Sequence, residues 1–327
     1  MVSKSVLNKL KTVLKRYGEY EIHDVSILNG SQNKVYKVNT DKGIYVVKEF
    51  SLDAIKNYYY LRKRKEQIRI SKVLNDNGIK TILPIMVNDN SFIFFKKHYY
   101  VVYDYSISRP LEEKEITLKH ISTLATTQSK IHKLNISSIL TCFYKHINID
   151  FDKQLKIVKK KDVDLYNLIK DNLDKLKEIV NMCNSNLKDI KSNLCISHND
   201  YKLLNILWDK DNMFLIDFDA TGLSNPTCCL CESAFTFSKI NNNKINYSFY
   251  EEYLRSYLSN YGKIKEDFRC CLFSCLNGKL QWLNYMFSKN SKKENNYIDG
   301  TKYMINEFLL YYENIDKFNE IYEKITK

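Results

Sequence analysis

The chain has 327 residues, 44% hydrophobic and 27% charged; this exceeds what one hydrophobic core usually serves and predicts two lobes, while 3 prolines and 8 glycines exclude collagen-like repeats and long linkers. No apolar stretch approaches the roughly 20 residues of a membrane-spanning helix, the opening MVSKSVLNKLKTVLKRYG lacks a signal-peptide centre, and nine cysteines, an odd number, suit reduced thiols, so a cytoplasmic protein without membrane association is expected. The net charge of +13 would suit nucleic acid or a phosphate-rich ligand, but it forms no dense block beyond Leu61 to Lys65 (LRKRK) and reads as a solvated surface, with no nucleic-acid partner expected.

In chain order, Val6, Leu7, Leu10, Val13, Leu14 and Tyr17 recur at helical spacing and Gly18 offers a stop. A strand over 24–28 leads through Asn29 and Gly30 to two β-type runs, 34–39 and 44–50, joined by the turn residues Thr40 to Gly43. Ser51 can cap a helix that runs to about Asn77 and stops at Gly78, and Tyr99 to Tyr105 (YYVVYDY) reads as a strand. From Thr117 onward the pattern is helical, 118–134, segments within 151–187 and three more after 227, interrupted only by a β-rich island at 194–217. A small strand-rich N-terminal lobe and a larger helical lobe carrying one β-hairpin follow from that order.

The island reads CISHNDYKLLNILWDKDNMFLIDFD, residues 195–219. Strands at 194–197, 206–208 and 213–216, the last two paired across Asp209 to Asn212, place His198, Asp200, Asn205 and Asp217 at strand ends. Asn and Asp favour turns in any hairpin. The spacing His-x-Asp-x-x-x-x-Asn followed by an apolar strand ending in Asp nevertheless has a chemical meaning. Phosphoryl transfer needs a carboxylate to take or orient the attacking hydroxyl, the role that suits Asp200, and hard oxygen ligands for Mg²⁺, the role that suits Asn205 and Asp217.

Upstream stand further parts in order. Gly30, Ser31 and Asn33 lie where backbone N–H groups could cover phosphates. Lys48 sits in the strand YVVKEF, from which a lysine reaches phosphates, and Glu66 on the next helix could pair with it.

With NGSQNKVYKV, YVVKEF, YVVYDYSISRPL, SKIHKLN, ISHNDYKLLNILW and LIDFDATGLSNP, the chain resembles the aminoglycoside phosphotransferase family, within the wider group of kinases for small molecules such as choline and homoserine, over roughly residues 25 to 240. The resemblance implies an α+β, bilobal, protein-kinase-like fold: a small antiparallel-sheet lobe with a helix, residues 1–104, that binds nucleotide, and a larger helical lobe, 105–327, for catalysis and substrate. It implies ATP or GTP as donor and Mg²⁺ as cofactor. Tyr103 then stands behind the adenine pocket, the backbone from Asp104 through Tyr105 to Ser106 forms the hinge, Asp200 is the base, and Asn205 with Asp217 holds the metal. His198 supports the loop. Asp219 replaces the glycine of protein kinases, and Cys229 stands before Leu230 where the family tends to place an acid that braces the catalytic loop. Lys202 either helps neutralise the transferring phosphate or points to solvent.

The expected activity is transfer of the γ-phosphate to a hydroxyl of a small molecule by a monomer or homodimer, an aminoglycoside being the family's best-known acceptor and antibiotic resistance the phenotype that would accompany it. The alternatives are a catalytically silent scaffold of the spore-coat type, which also ends a strand with IDFD, and a kinase of the choline, homoserine or sugar type. Glu112, Glu113 and the acids of Tyr250 to Tyr253 (YEEY) are candidate contacts for a cationic acceptor. Cys228 and Cys231, with Cys271 and Cys275, invite a zinc reading, but their spacing and helical context favour packing as small apolar residues.

Overall fold

The computed structural model describes residues 2–18, 20–28, 33–50, 58–142, 144–240, 244–290 and 297–327. In chain order the elements are α1 (Lys4–Leu14), β1 (Ile22–Leu28), β2 (Lys34–Thr40), β3 (Gly43–Glu49), α2 (Tyr58–Asp76), β4 (Ile93–Phe95), β5 (His98–Asp104), α3 (Leu118–Lys133), α4 (Phe151–Val158), α5 (Val163–Asp171), α6 (Leu173–Ser185), α7 (Leu187–Ile190), β6 (Cys195–Ser197), β7 (Ile206–Asp209), β8 (Asn212–Leu215), β9 (Gly222–Ser224), α8 (Pro226–Ser238), β10 (Lys239–Ile240), β11 (Lys244–Ile245), α9 (Tyr247–Tyr261), α10 (Phe268–Ser274), α11 (Asn277–Asn290) and α12 (Ile298–Thr326). By contact they fall into two units, Met1–Leu111 with Ser138–Leu140 and Leu203–Ala220, and Glu112–Ser137 with Thr141–Lys202 and Thr221–Lys327.

The first unit is built on an antiparallel sheet in the order β1-β2-β3-β5-β4. Side chains alternate across a strand, and the alternation here serves two helices. Tyr36, Val38, Val47, Tyr100 and Val102 bury one face with Leu10, Val13 and Leu14 of α1. Val101, one residue out of phase, packs with Phe50 and Phe92 on the other, against Leu61 and Ile68 of α2. Each such buried aliphatic side chain stabilises by about 1.5–3 kcal/mol. The β2–β3 hairpin closes as its turn residues predict, Thr40 opposite Gly43; Gly43 has φ 144°, a backbone region that β-carbons disfavour. Glu49, in phase with Val47, is buried and paired with Lys9 of α1 at 2.5 Å and with the Tyr36 hydroxyl at 3.0 Å. Lys48 therefore faces the α2 side.

The hairpin β7–β8 joins this unit through hydrogen bonds. Leu215 N–H donates to Lys80 O at 2.9 Å, and Trp208 N–H to Arg109 O at 2.8 Å. The division of the chain at 104/105 leaves residues 203–220 with the later helices, whereas their contacts group them with the N-terminal sheet.

The second unit is helical around α8, which Asn225 caps at both Thr227 N and Cys228 N with Pro226 in the first turn. Tyr250, Tyr253 and Tyr257 of α9 are fully buried and belong to the core of this unit, whereas Tyr247, Tyr285 and Tyr303 are exposed. Strand β6 pairs antiparallel with β9, Ser197 opposite Gly222.

Candidate active site

In the first unit, Lys48 Nζ lies 2.8 Å from Asp217 Oδ1 and 2.7 Å from Asp219 Oδ2. Burial alone would lower the ammonium's pKa; the carboxylates of Asp219 and Asp217 outweigh it and hold Lys48 charged above its ordinary range. Asp219 is held in turn. Arg64 Nη1 reaches its carboxylate at 3.1 Å and its carbonyl at 2.8 Å, Gln67 donates to the same carbonyl at 2.8 Å, and Asn33 Nδ2 donates to its Oδ2 at 2.9 Å.

Asn205 and Asp217 flank one end of the β7–β8 hairpin. Ile206 is opposite Leu215, and Ile216 N–H donates to Asn205 O at 3.1 Å. Asp217 adopts φ 61°, a left-handed conformation that turns the chain just past the strand. An amide and a carboxylate at the same hairpin end offer the oxygen donors that Mg²⁺ prefers.

The expected Glu66–Lys48 pair does not form. Glu66 accepts from Arg69 at 2.8 Å and from Ser138 Oγ at 2.7 Å, and the Arg69 bond leads in drawing its pKa down. The reason is the phase of α2. Gln67, Ile70, Ser71 and Leu74 are its buried stripe, so Arg64 and Gln67, three apart, point inward while Glu66 and Arg69 point to another side. Arg64 belongs to LRKRK, yet its side chain is only 12% exposed. A run read as solvated surface thus supplies an inward-facing cation.

Tyr103 lies opposite Val46, packs against Phe50, Phe92 and Val101, and is pushed up to about 12 by burial, with Lys48 pulling the other way. At the expected hinge, Asp104 is opposite Tyr45, Tyr105 N–H donates to Ile44 O at 3.0 Å, and Ser106 Oγ bonds Ser108 Oγ at 2.8 Å. Gly30, Ser31 and the Ser51 cap lie outside the described residues.

In the second unit, β6 delivers His198, Asn199 and Asp200. Asn199 has φ 58°, a region asparagine tolerates better than most residues, and its side chain accepts from Ser224 Oγ at 2.7 Å. Asp200 pairs with Lys202 at 2.8 Å, so the lysine sits on the carboxylate expected as the base. His198 is buried beside Tyr201, their ring centroids 6.1 Å apart.

A buried chain of hydrogen bonds that the sequence did not disclose supports this loop. Cys229 Sγ donates to Ser197 Oγ at 3.4 Å, Ser197 Oγ lies 2.9 Å from His132 Nε2, and His132 Nδ1 lies 2.6 Å from the Tyr257 hydroxyl. Burial drives the His132 pKa down to about 3, so the ring is neutral at working pH. A neutral imidazole donates from one ring nitrogen and accepts at the other, so Ser197 and Tyr257 take opposite roles toward His132. Cys229, where an acid was expected, therefore braces the loop through Ser197 and approaches Asn199 Oδ1 at 3.9 Å. His132 sits in SKIHKLN, one of the stretches that carry the family resemblance, but its helical pattern gives no sign of this bonding.

Of the candidate acceptor contacts, Glu251 pairs with Arg255 and Glu252 with Ser256, while Tyr250 and Tyr253 are core. One turn along α8 from Cys229, Glu232 is 38% exposed and 4.0 Å from Lys279. The protein packed around it, then Glu307 and Asp200, push its carboxyl upward against the pull of Lys279. Cys228, Cys231, Cys271 and Cys275 are buried in or just after α8 and α10, and among the described residues no group of three or more His, Cys, Asp or Glu is arranged to hold a metal ion.

Comparison with known proteins fits this geometry. The model of the phosphotransferase enzyme family (APH) matches residues 25–266. The chain belongs to the phosphotransferase enzyme family. Among solved structures, a spectinomycin phosphotransferase, APH(9)-Ia, in complex with ADP and spectinomycin is 14% identical with a TM-score of 0.68, covering 95% of this chain and 98% of its own. A microcompartment-associated aminopropanol kinase is 13% identical at 0.67, with 95% and 98% covered. The choline kinase LicA from Streptococcus pneumoniae is 16% identical at 0.61, with 96% and 98% covered. No curated protein sequence matches the chain. This phosphotransferase thus has the kinase-like fold, with a small antiparallel-sheet lobe and a larger, mostly helical lobe.

Proposed function

We propose that this phosphotransferase moves the γ-phosphate of ATP or GTP to a hydroxyl of a small, amine-bearing molecule. One observation carries the reading: folding brings a strand lysine and the carboxylate of Asp217, just past β8 and 169 residues away in sequence, to 2.8 Å. Such a pair is where a nucleotide's phosphates and their cation would be handled.

In the step itself the acceptor oxygen attacks the γ-phosphorus, its proton passes to the Asp200 carboxylate, and the bond to the β-bridging oxygen breaks. The products are a phosphate monoester and a nucleoside diphosphate, and Asp200 releases the proton to solvent. Lys48 neutralises phosphate charge, and Lys202, paired with Asp200 at 2.8 Å, orients its carboxylate. Asn205 and Asp217 would hold Mg²⁺, which when bound supplies charge neutralisation on the phosphates.

The amine is supported from two sides. The similar structures are a spectinomycin phosphotransferase, an aminopropanol kinase and a choline kinase, and the half-exposed Glu232 shares the second unit with Asp200. Complexes with ADP and with AMP-PNP among such structures support a nucleotide donor.

The test is transfer of label from γ-labelled ATP and GTP to aminoglycosides, amino alcohols and neutral sugars, with Asp200→Asn as the blank. Label on an amine-bearing acceptor, lost in the variant, is expected. Nucleotide binding without transfer to any acceptor class would favour the silent scaffold instead.

A further inference from the structure

The sequence offers Glu66 as the carboxylate that would hold Lys48, and the structure turns Glu66 away to Arg69 and Ser138. A strand lysine needs a fixed counter-charge besides the metal-binding Asp217, because a carboxylate occupied by a cation no longer neutralises an ammonium. Asp219 is in position: its Oδ2 is 2.7 Å from Lys48 Nζ, and four further bonds from Arg64, Gln67 and Asn33 fix its carboxylate and its backbone carbonyl. Arg64 and Gln67 come from α2, the helix on which the lysine's partner was expected, so that helix still governs Lys48 but acts through Asp219.

We infer that Asp219 is the residue that positions Lys48, taking the part foreseen for Glu66, with Arg64 as the clamp that α2 supplies. Asp217 is then left to the metal, and the two acids of the IDFD stretch divide the work. The arrangement balances charge within one unit: Lys48 and Arg64 against Asp217 and Asp219. The inference rests on the phosphotransferase reading, which nucleotide binding by the unaltered protein tests separately.

The experiment measures the affinity for ATP and GTP by calorimetry over a range of Mg²⁺ concentrations in the wild type, Asp219→Asn, Asp219→Glu, Glu66→Gln and Arg64→Met. Asp219→Asn should bind nucleotide about 10- to 100-fold more weakly at saturating Mg²⁺, the loss expected for a charged hydrogen bond, with an unchanged Mg²⁺ dependence. Asp219→Glu should recover part of the affinity, Arg64→Met should lose part of it, and Glu66→Gln should match the wild type. Three results would overturn the inference: wild-type affinity in Asp219→Asn, recovery of that variant by added Mg²⁺, which would make Asp219 a metal ligand, or an equal loss in Glu66→Gln. Should Asp219→Asn not fold, as circular dichroism would report, Arg64→Met decides alone, and wild-type affinity in it overturns the inference.

Discussion

Ser197 Oγ and His132 Nε2 stand 2.9 Å apart in a buried position three residues before Asp200. A histidine with its other nitrogen on Tyr257 is thereby tied to the strand that leads into Asp200, the proposed base. His132→Asn should cut kcat by about 100-fold, the cost of a small misplacement of a reacting group, while the KM for nucleotide stays near its original value. Steady-state kinetics with both substrates separate this from general destabilisation, which would lower the active fraction without changing kcat per folded molecule.

The same residue governs stability in acid. His132 has a folded pKa of about 3 against an ordinary value of 6.5, so between those values the unfolded chain binds a proton that the folded one refuses. Stability is complete above pH 6.5 and falls as pH drops toward 3, by about 4–5 kcal/mol at about 1.4 per pKa unit. Denaturant unfolding across this range should show the loss in the wild type and a flatter curve in His132→Asn.

A second acid-labile link lies in the helical unit. Glu307 is paired with Lys279 and, at 3.2 Å, with Lys239. Burial would raise its pKa, but the two lysines overrule it and hold the carboxyl at about 2, below the ordinary 4.5. A depressed carboxylate pKa stabilises above its unfolded value and loses that contribution as pH falls through the folded one, here about 3 kcal/mol between pH 4.5 and 2. Glu307→Gln should be less stable at neutral pH and should lack that limb, as unfolding midpoints against pH would show; a limb of full size in the variant would contradict the pairing.

Thiol reactivity should divide sharply. Cys228, Cys229, Cys231 and Cys275 are buried, and burial drives their thiols upward, away from the reactive thiolate. Titration with a thiol reagent should modify them only at the rate of unfolding, and rapid labelling of any of them in folded protein, located by mass spectrometry, would contradict the packing.

Much of this was legible in the chain. The β2–β3 hairpin, the placement of Asn205 and Asp217 at one hairpin end, and Lys48 in its strand follow from period-two alternation and turn residues, signals that are local. Strands β4 and β9 have three residues each, too few to alternate, and form only because a partner strand is present. The rotation of α2 was hidden for a different reason. LRKRKEQIR carries charge on every side, so no apolar stripe says which of Arg64, Glu66, Gln67 or Arg69 points inward, and the sheet decides. The chain from Cys229 to Tyr257 joins residues on β6, α3, α8 and α9, an association that only tertiary packing creates.

The most direct test of the account is single-turnover transfer of the γ-phosphate to an amine-bearing acceptor by Asp200→Asn and Asp217→Asn, with Mg-nucleotide binding measured on the same samples. Asp200→Asn should keep nucleotide affinity within about twofold and lose transfer by about 10²–10⁴-fold, the range for a positioned base, whereas Asp217→Asn should lose affinity for the Mg-nucleotide itself. Turnover of Asp200→Asn at the wild-type rate, or undiminished Mg-nucleotide binding by Asp217→Asn, would contradict the assignment of base and metal ligand on which the proposed function stands.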